Sequence, residues 1–355
     1  MRTEELDFEL PADRIATTPA EPRDAARLMV VQRHNQQITH TTIHDLPSLG
    51  LLDAGDLLVM NRSKVLPASF RCQRVVSGGV VRGLYLSAPV PNHWLVLLEA
   101  RGRLQSGEHL RLSETNTLRL VEPRGGGCWL VHCEACPAEI LAKIGSTPLP
   151  PYLLAARRRR SEPELRPEDA VRYNTVYAHE AGSVAAPTAG LHFTDALLEQ
   201  LQYDGIRRAE VILHVGRGTF EPIRCEWLGD HKMHQEWCTV PGSTLEAVMA
   251  ARSVQNRIIP VGTTTVRALE SLPDPIDKAH GDHTIETDLF IQPDNGFCFR
   301  FTDALLTNFH LPRSSLLAMV AALPGVGIDR LKEWYAQAIE AQYRFYSYGD
   351  AMLIL

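Results

Sequence analysis

Between residues 69 and 134 the chain breaks into six short strand-forming runs, 69–76, 80–88, 93–100, 109–113, 117–122 and 128–134. Turn-forming stretches separate them, among them Gly78-Gly79, Pro89 to Asn92 and Arg124 to Gly127. A strand about every eight to twelve residues, joined by such turns, is the pattern of a small antiparallel barrel. Helical periodicity is absent there until about residues 138–144. On either side the rhythm differs. Strand candidates at 27–32, 38–43 and 56–61 come before it, and strand and helix patterns alternate from 183 to 355. Alternation of that kind predicts a mixed α/β domain. The expected architecture is a mixed α/β main domain, residues 1–66 and 148–355, with an inserted small antiparallel β-barrel domain at residues 67–147.

The most informative stretch of the main domain is 182–220. Its first part, Gly182 to Gly190, is built of small residues with one proline, so its backbone can approach a ligand closely. His192 follows, and Thr194 is placed to cap a helix whose Leu197, Leu198 and Leu201 share one face. Gly205 suits the end of that helix. A buried strand at 209–215 then ends in His214, Gly216 and Gly218. In α/β proteins, ligands sit at loops just past strand ends. Glycine-rich turns whose histidines only satisfy local hydrogen bonds are the alternative, and both readings stand at this stage.

Composition narrows the classes. With 45% hydrophobic and 22% charged residues, the chain suits a soluble globular protein. A formal net charge of -6 argues against broad, sequence-blind nucleic-acid binding while leaving room for a local basic patch. Seven cysteines without regular spacing suggest free thiols in a reducing compartment. The acidic N-terminus does not read as a secretory leader, and no apolar run approaches the roughly 20 residues of a membrane span. A cytoplasmic, non-membrane protein is expected.

Other motifs each carry two readings. Cys133-x-x-Cys136 lacks a second pair for a zinc site, although Cys128 and His132 are near, so buried thiols are favoured. Arg157, Arg158, Arg159 and Arg160 form a basic run that either contacts phosphate or stays a solvated face, with Glu162, Glu164, Glu168 and Asp169 close behind. In His231-x-x-His234-x-Glu236-Trp237 an extended backbone would put His234 and Glu236 on one face as an acid–base pair, which is favoured over a metal site for want of a third strong ligand. Ser243 and Glu246 read as a capping box. Thr263 and Thr264 lie in a hydroxyl-rich loop before a helix expected at 266–271, suited to an anion or to a plain cap. Strand 287–291, a loop carrying Asn308 and His310, a helix at 314–323, a helix at 331–345 and a last strand complete the domain.

Six segments, GSVAAPTAGLHF at 182–193, LHVGRGTF at 213–220, MHQEW at 233–237, GTTTVRALES at 262–271, LLTNFHLPRS at 305–314 and YRFYSYGDAMLI at 343–354, resemble in order the motifs of the S-adenosylmethionine:tRNA ribosyltransferase-isomerase family. With 7–11 and 56–67 the resemblance spans nearly the whole chain. It implies an α/β domain with an inserted β-barrel. It also implies transfer and isomerisation of the ribosyl portion of S-adenosylmethionine onto 7-aminomethyl-7-deazaguanine in a tRNA anticodon, giving epoxyqueuosine with release of methionine and adenine. S-adenosylmethionine would be the cosubstrate, no metal is expected, and tRNA is the partner of a monomer. That chemistry needs a base for a carbon-bound proton beside the sulfonium, a donor for departing adenine and donors for the methionine carboxylate. The catalytic candidates are His192, His214, His234 and Glu236. Thr188, Ala189, Gly190, Gly216, Gly218, Thr263, Thr264, Arg267, Asn308, His310, Arg344 and Asp350 are the candidates for holding the cosubstrate, and Arg157 to Arg160 for tRNA.

One loop departs from the family pattern. The family reads Asn-Asp-Thr-Arg, an apolar pair and Pro-Ala-Arg, where this chain has Arg62 at the acidic position and Ser69 at the final basic one. A relative using S-adenosylmethionine on another nucleoside or small acceptor, and a non-catalytic RNA-binding relative, are the alternative functions.

Overall fold

The structure is a computed structural model that describes residues 1–216, 222–276, 281–293 and 295–355. Nine strands form one mixed sheet in the order His283–Thr287, Glu236–Val240, Arg207–Leu213, Leu57–Asn61, Ile258–Val261, Leu305–Asn308, Ala351–Ile354, Arg27–Gln32, Gln37–Thr42. Its centre is parallel: Leu57–Asn61 runs parallel to Arg207–Leu213 on one side and to Ile258–Val261 on the other. Leu305–Asn308 continues parallel beyond Ile258–Val261, with Val261 opposite Leu306.

A central parallel strand is buried on both faces, so it carries an unbroken apolar run. In Leu57–Asn61, Leu58 and Met60 pack with Leu197, Leu198 and Leu201 of the helix Asp195–Tyr203. Leu57 and Val59 point the other way, to Leu245 and Val248 of the helix Gly242–Ser253 and to Ala268 and Leu269 of the helix Thr263–Glu270. Asp195–Tyr203 starts as its sequence requires, the Leu197 amide donating to Thr194 Oγ1 at 3.2 Å. Gly205 follows at φ +84°, a conformation that costs other residues a clash.

Three local expectations are corrected. Thr263 already lies inside its helix, which begins three residues earlier than expected: Gly262 is the N-cap at φ +90°, and its carbonyl accepts from the Thr265 and Val266 amides at 3.1 and 3.3 Å. Gly242–Ser253 starts after Pro241 without a side-chain cap, so Ser243 and Glu246 form no capping box; the Gly242 amide donates instead to Asp282 Oδ1 at 2.9 Å. The late strand occupies His283–Thr287, where it pairs with Glu236–Val240, rather than 287–291.

The chain divides into two compact units. Met1–Lys64, Pro150–Glu164 and Asn174–Leu355 make the first, and Val65–Leu149 with Leu165–Tyr173 the second. The second holds a closed antiparallel barrel in the order Cys128–His132, His93–Ala100, Val80–Val90, Ser69–Arg74, His109–Arg111, Thr117–Gly125. Phe70, Trp94, Val96, Leu110, Leu118 and Val131 fill it. A Cβ at Gly83 would fall inside the Phe70 ring, so this strand position is kept bare for the aromatic side chain.

Candidate active site

Four neighbouring parallel strands end on the same edge of the large sheet, at Leu213, Asn61, Val261 and Asn308. Carboxyl ends of parallel strands are where open α/β sheets bind ligands. One segment, 182–192, touches three of these ends. A Cβ on Gly182 would stand 2.5 Å from Cε1 of His214, just past the first strand. A Cβ on Gly262, just past the third, would stand 3.6 Å from Cβ of Ala189. At its far end His192 meets Asn308, the last residue of the fourth. Asn61 closes the row: its side chain donates to the Leu213 carbonyl at 2.9 Å and accepts from the Leu213 and Ser63 amides, both at 3.1 Å.

Asn308 and His192 form the best-defined pair. Asn308 Nδ2 lies 3.1 Å from the Tyr346 carbonyl and 3.2 Å from Nε2 of His192. A carbonyl can only accept, so the amide nitrogen is the donor in both contacts and His192 Nε2 is an acceptor. His192 is therefore neutral, with its proton on Nδ1. Burial agrees, pushing its pKa down to about 4 against the pull of Asp350 and with help from Arg344 and Arg23. Asn308 Oδ1 is left buried with no partner among the described residues. Asn308 also lines a cavity of about 30 Å³ with Tyr152, Thr188, His310, Tyr346 and Ser347. His310 is neutral too, at about 3 through burial, and its Nε2 lies 2.8 Å from Thr307 Oγ1.

His214 has a different character. It is half-buried, burial lowers its pKa although Glu180 opposes this, and its Nδ1 has no partner among the described residues. A neutral imidazole with a free ring nitrogen can take a proton. Glu236 is not the partner the sequence suggested for His234. His234 is exposed, whereas Glu236 is buried and spends its carboxylate on a salt bridge to Arg267 and on the Gly216 amide at 2.8 Å. A desolvated carboxylate is stable only beside a cation and donors, and Arg267, itself 2% exposed, supplies the cation. Arg267 thus supports the Gly216 loop through Glu236, while its Nε has no hydrogen-bond partner among the described residues.

Further candidates divide the same way. Thr188, Ala189 and Gly190 form a 3-10 turn in which Gly190 is required, since a Cβ there would land on the Tyr177 hydroxyl. Thr263 and Thr264 are buried at the start of their helix beside that turn. Asp350 is fully buried and accepts from Arg344 Nη2 at 2.8 Å and from the Arg344 amide at 2.8 Å, so this pair fixes the approach to the last strand. Gly218 lies outside the described residues. Of the arginine run, Arg157 is 1% exposed and donates to the carbonyls of Thr17 and Glu164, a correction to its expected phosphate role. Arg160 donates to the carbonyls of Asp13 and Ile15, and Arg158 pairs loosely with Glu164 at 3.7 Å. Arg159 is exposed and close enough to Tyr346 to act on it electrostatically.

Sequence reasoning missed Tyr152, Tyr177, Tyr346 and Ser347. Tyr346 adopts φ +73°, a strained backbone for an aromatic residue, and its ring packs 4.7 Å from that of Tyr152. The run of aromatics before the last strand was the only sequence signal for it. Burial holds the Tyr177 hydroxyl well above the ordinary phenol range, and the neighbouring Thr175 hydroxyl opposes the shift only in part. Among the described residues no three His, Cys, Asp or Glu side chains converge as a metal site would require, and no helix is long and apolar enough to cross a membrane.

The chain has relatives of known name. The chain is 45% identical over its whole length to the S-adenosylmethionine:tRNA ribosyltransferase-isomerase of Rubrobacter xylanophilus, covering 98% of that protein. It is 42% identical to the protein of that name in Thermotoga maritima, with full coverage of both. The crystal structure of a Thermotoga maritima S-adenosylmethionine tRNA ribosyltransferase matches with a TM-score of 0.55 and 34% identity, over 99% of this chain and 100% of that one. Residues 3–354 match the family described as "Queuosine biosynthesis protein", and the chain belongs to that family.

Proposed function

We propose that this protein is an S-adenosylmethionine:tRNA ribosyltransferase-isomerase. It transfers and isomerises the ribosyl portion of S-adenosylmethionine onto 7-aminomethyl-7-deazaguanine in a tRNA anticodon, leaves epoxyqueuosine there and releases methionine and adenine. Full-length relatives bearing that name support the reading. In the chain itself, the observation that carries it is the segment 182–192 laid along the carboxyl ends of parallel strands. Buried polar atoms without partners among the described residues, Asn308 Oδ1 and His214 Nδ1, fit a ligand with polar groups.

The bound cosubstrate supplies a sulfonium that acidifies its neighbouring carbon. His214, neutral and with Nδ1 free, takes the carbon-bound proton. His192 donates from Nδ1 toward the departing adenine, its tautomer held by Asn308. Thr263 and Thr264, at the N-terminus of an eight-residue helix, hold the methionine carboxylate with the Thr188, Ala189 and Gly190 turn. Glu236 and Arg267 act as positioning residues for Gly216, and His310, Arg344 and Asp350 position Asn308. The assignment needs no proton transfer from His234. Every residue named lies on one chain, so a monomer suffices.

The test is direct. Wild-type protein mixed with S-adenosylmethionine and tRNA bearing that base should release adenine and methionine in equal amounts, and should release neither with unmodified tRNA. His192→Ala and His214→Ala should each slow single-turnover adenine release by about 10²–10⁴-fold. No release by the wild type sinks the reading, and an unchanged rate in His214→Ala removes the base assignment alone.

A further inference from the structure

We infer that the outer face of the six-stranded barrel docks the phosphate backbone of tRNA through Arg71, Arg82, Arg111 and Arg119. The inference rests on reading the protein as a tRNA-modifying enzyme and adds where the RNA is held. In the arginine run at 157–160, Arg157 is buried and Arg160 is engaged by backbone carbonyls, which leaves the exposed Arg158 and Arg159 for phosphate.

The four arginines are exposed and occupy outward positions on four neighbouring strands. Their flanking residues, Phe70, Cys72, Val81, Leu110, Leu118 and Leu120, point into the barrel core. Strand register sets them together. Arg71 stands opposite Arg82, Gln73 opposite Arg111, and His109 opposite Arg119. Arg71 and Arg111 line one open groove of about 360 Å³.

This arrangement costs stability. Directly opposed side chains on one face have Cβ atoms about 5 Å apart, and like charges there repel. Other barrel arginines are neutralised, Arg74 by Glu108 and Arg124 by Glu122. None of the four forms an ion pair among the described residues, although Glu99 stands in register beside Arg82. A cluster of like charges that only Glu99 faces in register marks a surface shaped for something else.

Charge distribution says what that something is. The barrel unit holds eleven Lys and Arg against eight Asp and Glu, a net of +3 in a chain of net -6, which leaves -9 on the remainder. Guanidinium groups bind phosphate bidentately, and the face between them carries Gln73, Thr117 and His109. Without an aromatic platform, backbone contact is favoured over base stacking.

The triple variant Arg71→Ala/Arg82→Ala/Arg111→Ala should bind tRNA at least about tenfold more weakly near 0.15 M salt. The slope of log affinity against log salt should shrink by about 2, as each lost phosphate contact removes about 0.7–0.9. Affinity for S-adenosylmethionine should not change, and Arg71→Lys/Arg82→Lys/Arg111→Lys should keep most of the salt slope. Unaltered tRNA affinity and slope in the alanine variant overturn the inference, and so does equal weakening in the lysine variant, which would point to packing and not charge. Should the wild type bind tRNA with the expected slope but release no adenine, the enzymatic reading fails while the docking face stands.

Discussion

Asn308 Nδ2 lies 3.2 Å from His192 Nε2, and this contact joins a strand end to a turn 116 residues earlier in the chain. Because Asn308 also donates to the Tyr346 carbonyl, its amide cannot turn over to offer oxygen to the imidazole. His192 is held as a neutral donor from Nδ1.

Asn308→Asp replaces that donor with a carboxylate beside Nε2. A nearby negative charge favours the imidazolium, so the His192 pKa should rise from about 4 toward its ordinary value. The pH profile of kcat/KM for adenine release should then shift on its acidic side, because the imidazolium still carries the Nδ1 proton and gives it up more readily than the neutral ring. An unshifted profile would show that His192 does not titrate in the reaction.

Gly190→Ala would drive a methyl group onto the Tyr177 hydroxyl and to 2.8 Å from Cγ2 of Thr175. Overpacking of this kind costs about 1–3 kcal/mol. Tyr177→Phe removes the blocking oxygen, so the double variant should recover part of the thermal midpoint lost by Gly190→Ala. A purely additive double-mutant cycle would argue that the two positions do not touch.

Breaking the buried Arg267–Glu236 pair from one side leaves a charge in a desolvated site. Arg267→Met should cost about 3–5 kcal/mol of stability in urea unfolding, whereas Arg267→Met/Glu236→Leu should cost less than the single variant. If the double variant were the worse of the two, Glu236 would be stabilising through the Gly216 amide and not through Arg267.

His192 and His310 are buried bases with pKa values of about 4 and about 3, against an ordinary 6.5. As pH falls through 6.5 the unfolded chain takes up these protons first, and the folded state follows only near 4 and 3. Stability is therefore full above about pH 6.5 and declines below it, by about 1.4 kcal/mol per pH unit for each histidine. His310→Gln should flatten the fall in urea midpoint between pH 7 and pH 5, and an equally steep fall in that variant would place the effect elsewhere.

Much of the architecture is legible in the sequence because it is encoded over short distances. The six barrel strands follow from turn residues and alternation, and Thr194 is readable as a cap because its partner, the Leu197 amide, is three residues away. Small-residue segments around His192 and His214 are visible for the same reason. The choice of partner for each buried charge is not. Next to His234 in sequence, Glu236 instead pairs with Arg267, 31 residues on, and Arg157 leaves its basic run to meet the Thr17 carbonyl 140 residues back. Local spacing determined strands, helices and candidate loops. Only tertiary packing decided which polar groups share a desolvated site, because a buried charge takes whatever cation, carboxylate or carbonyl the fold brings within hydrogen-bond reach.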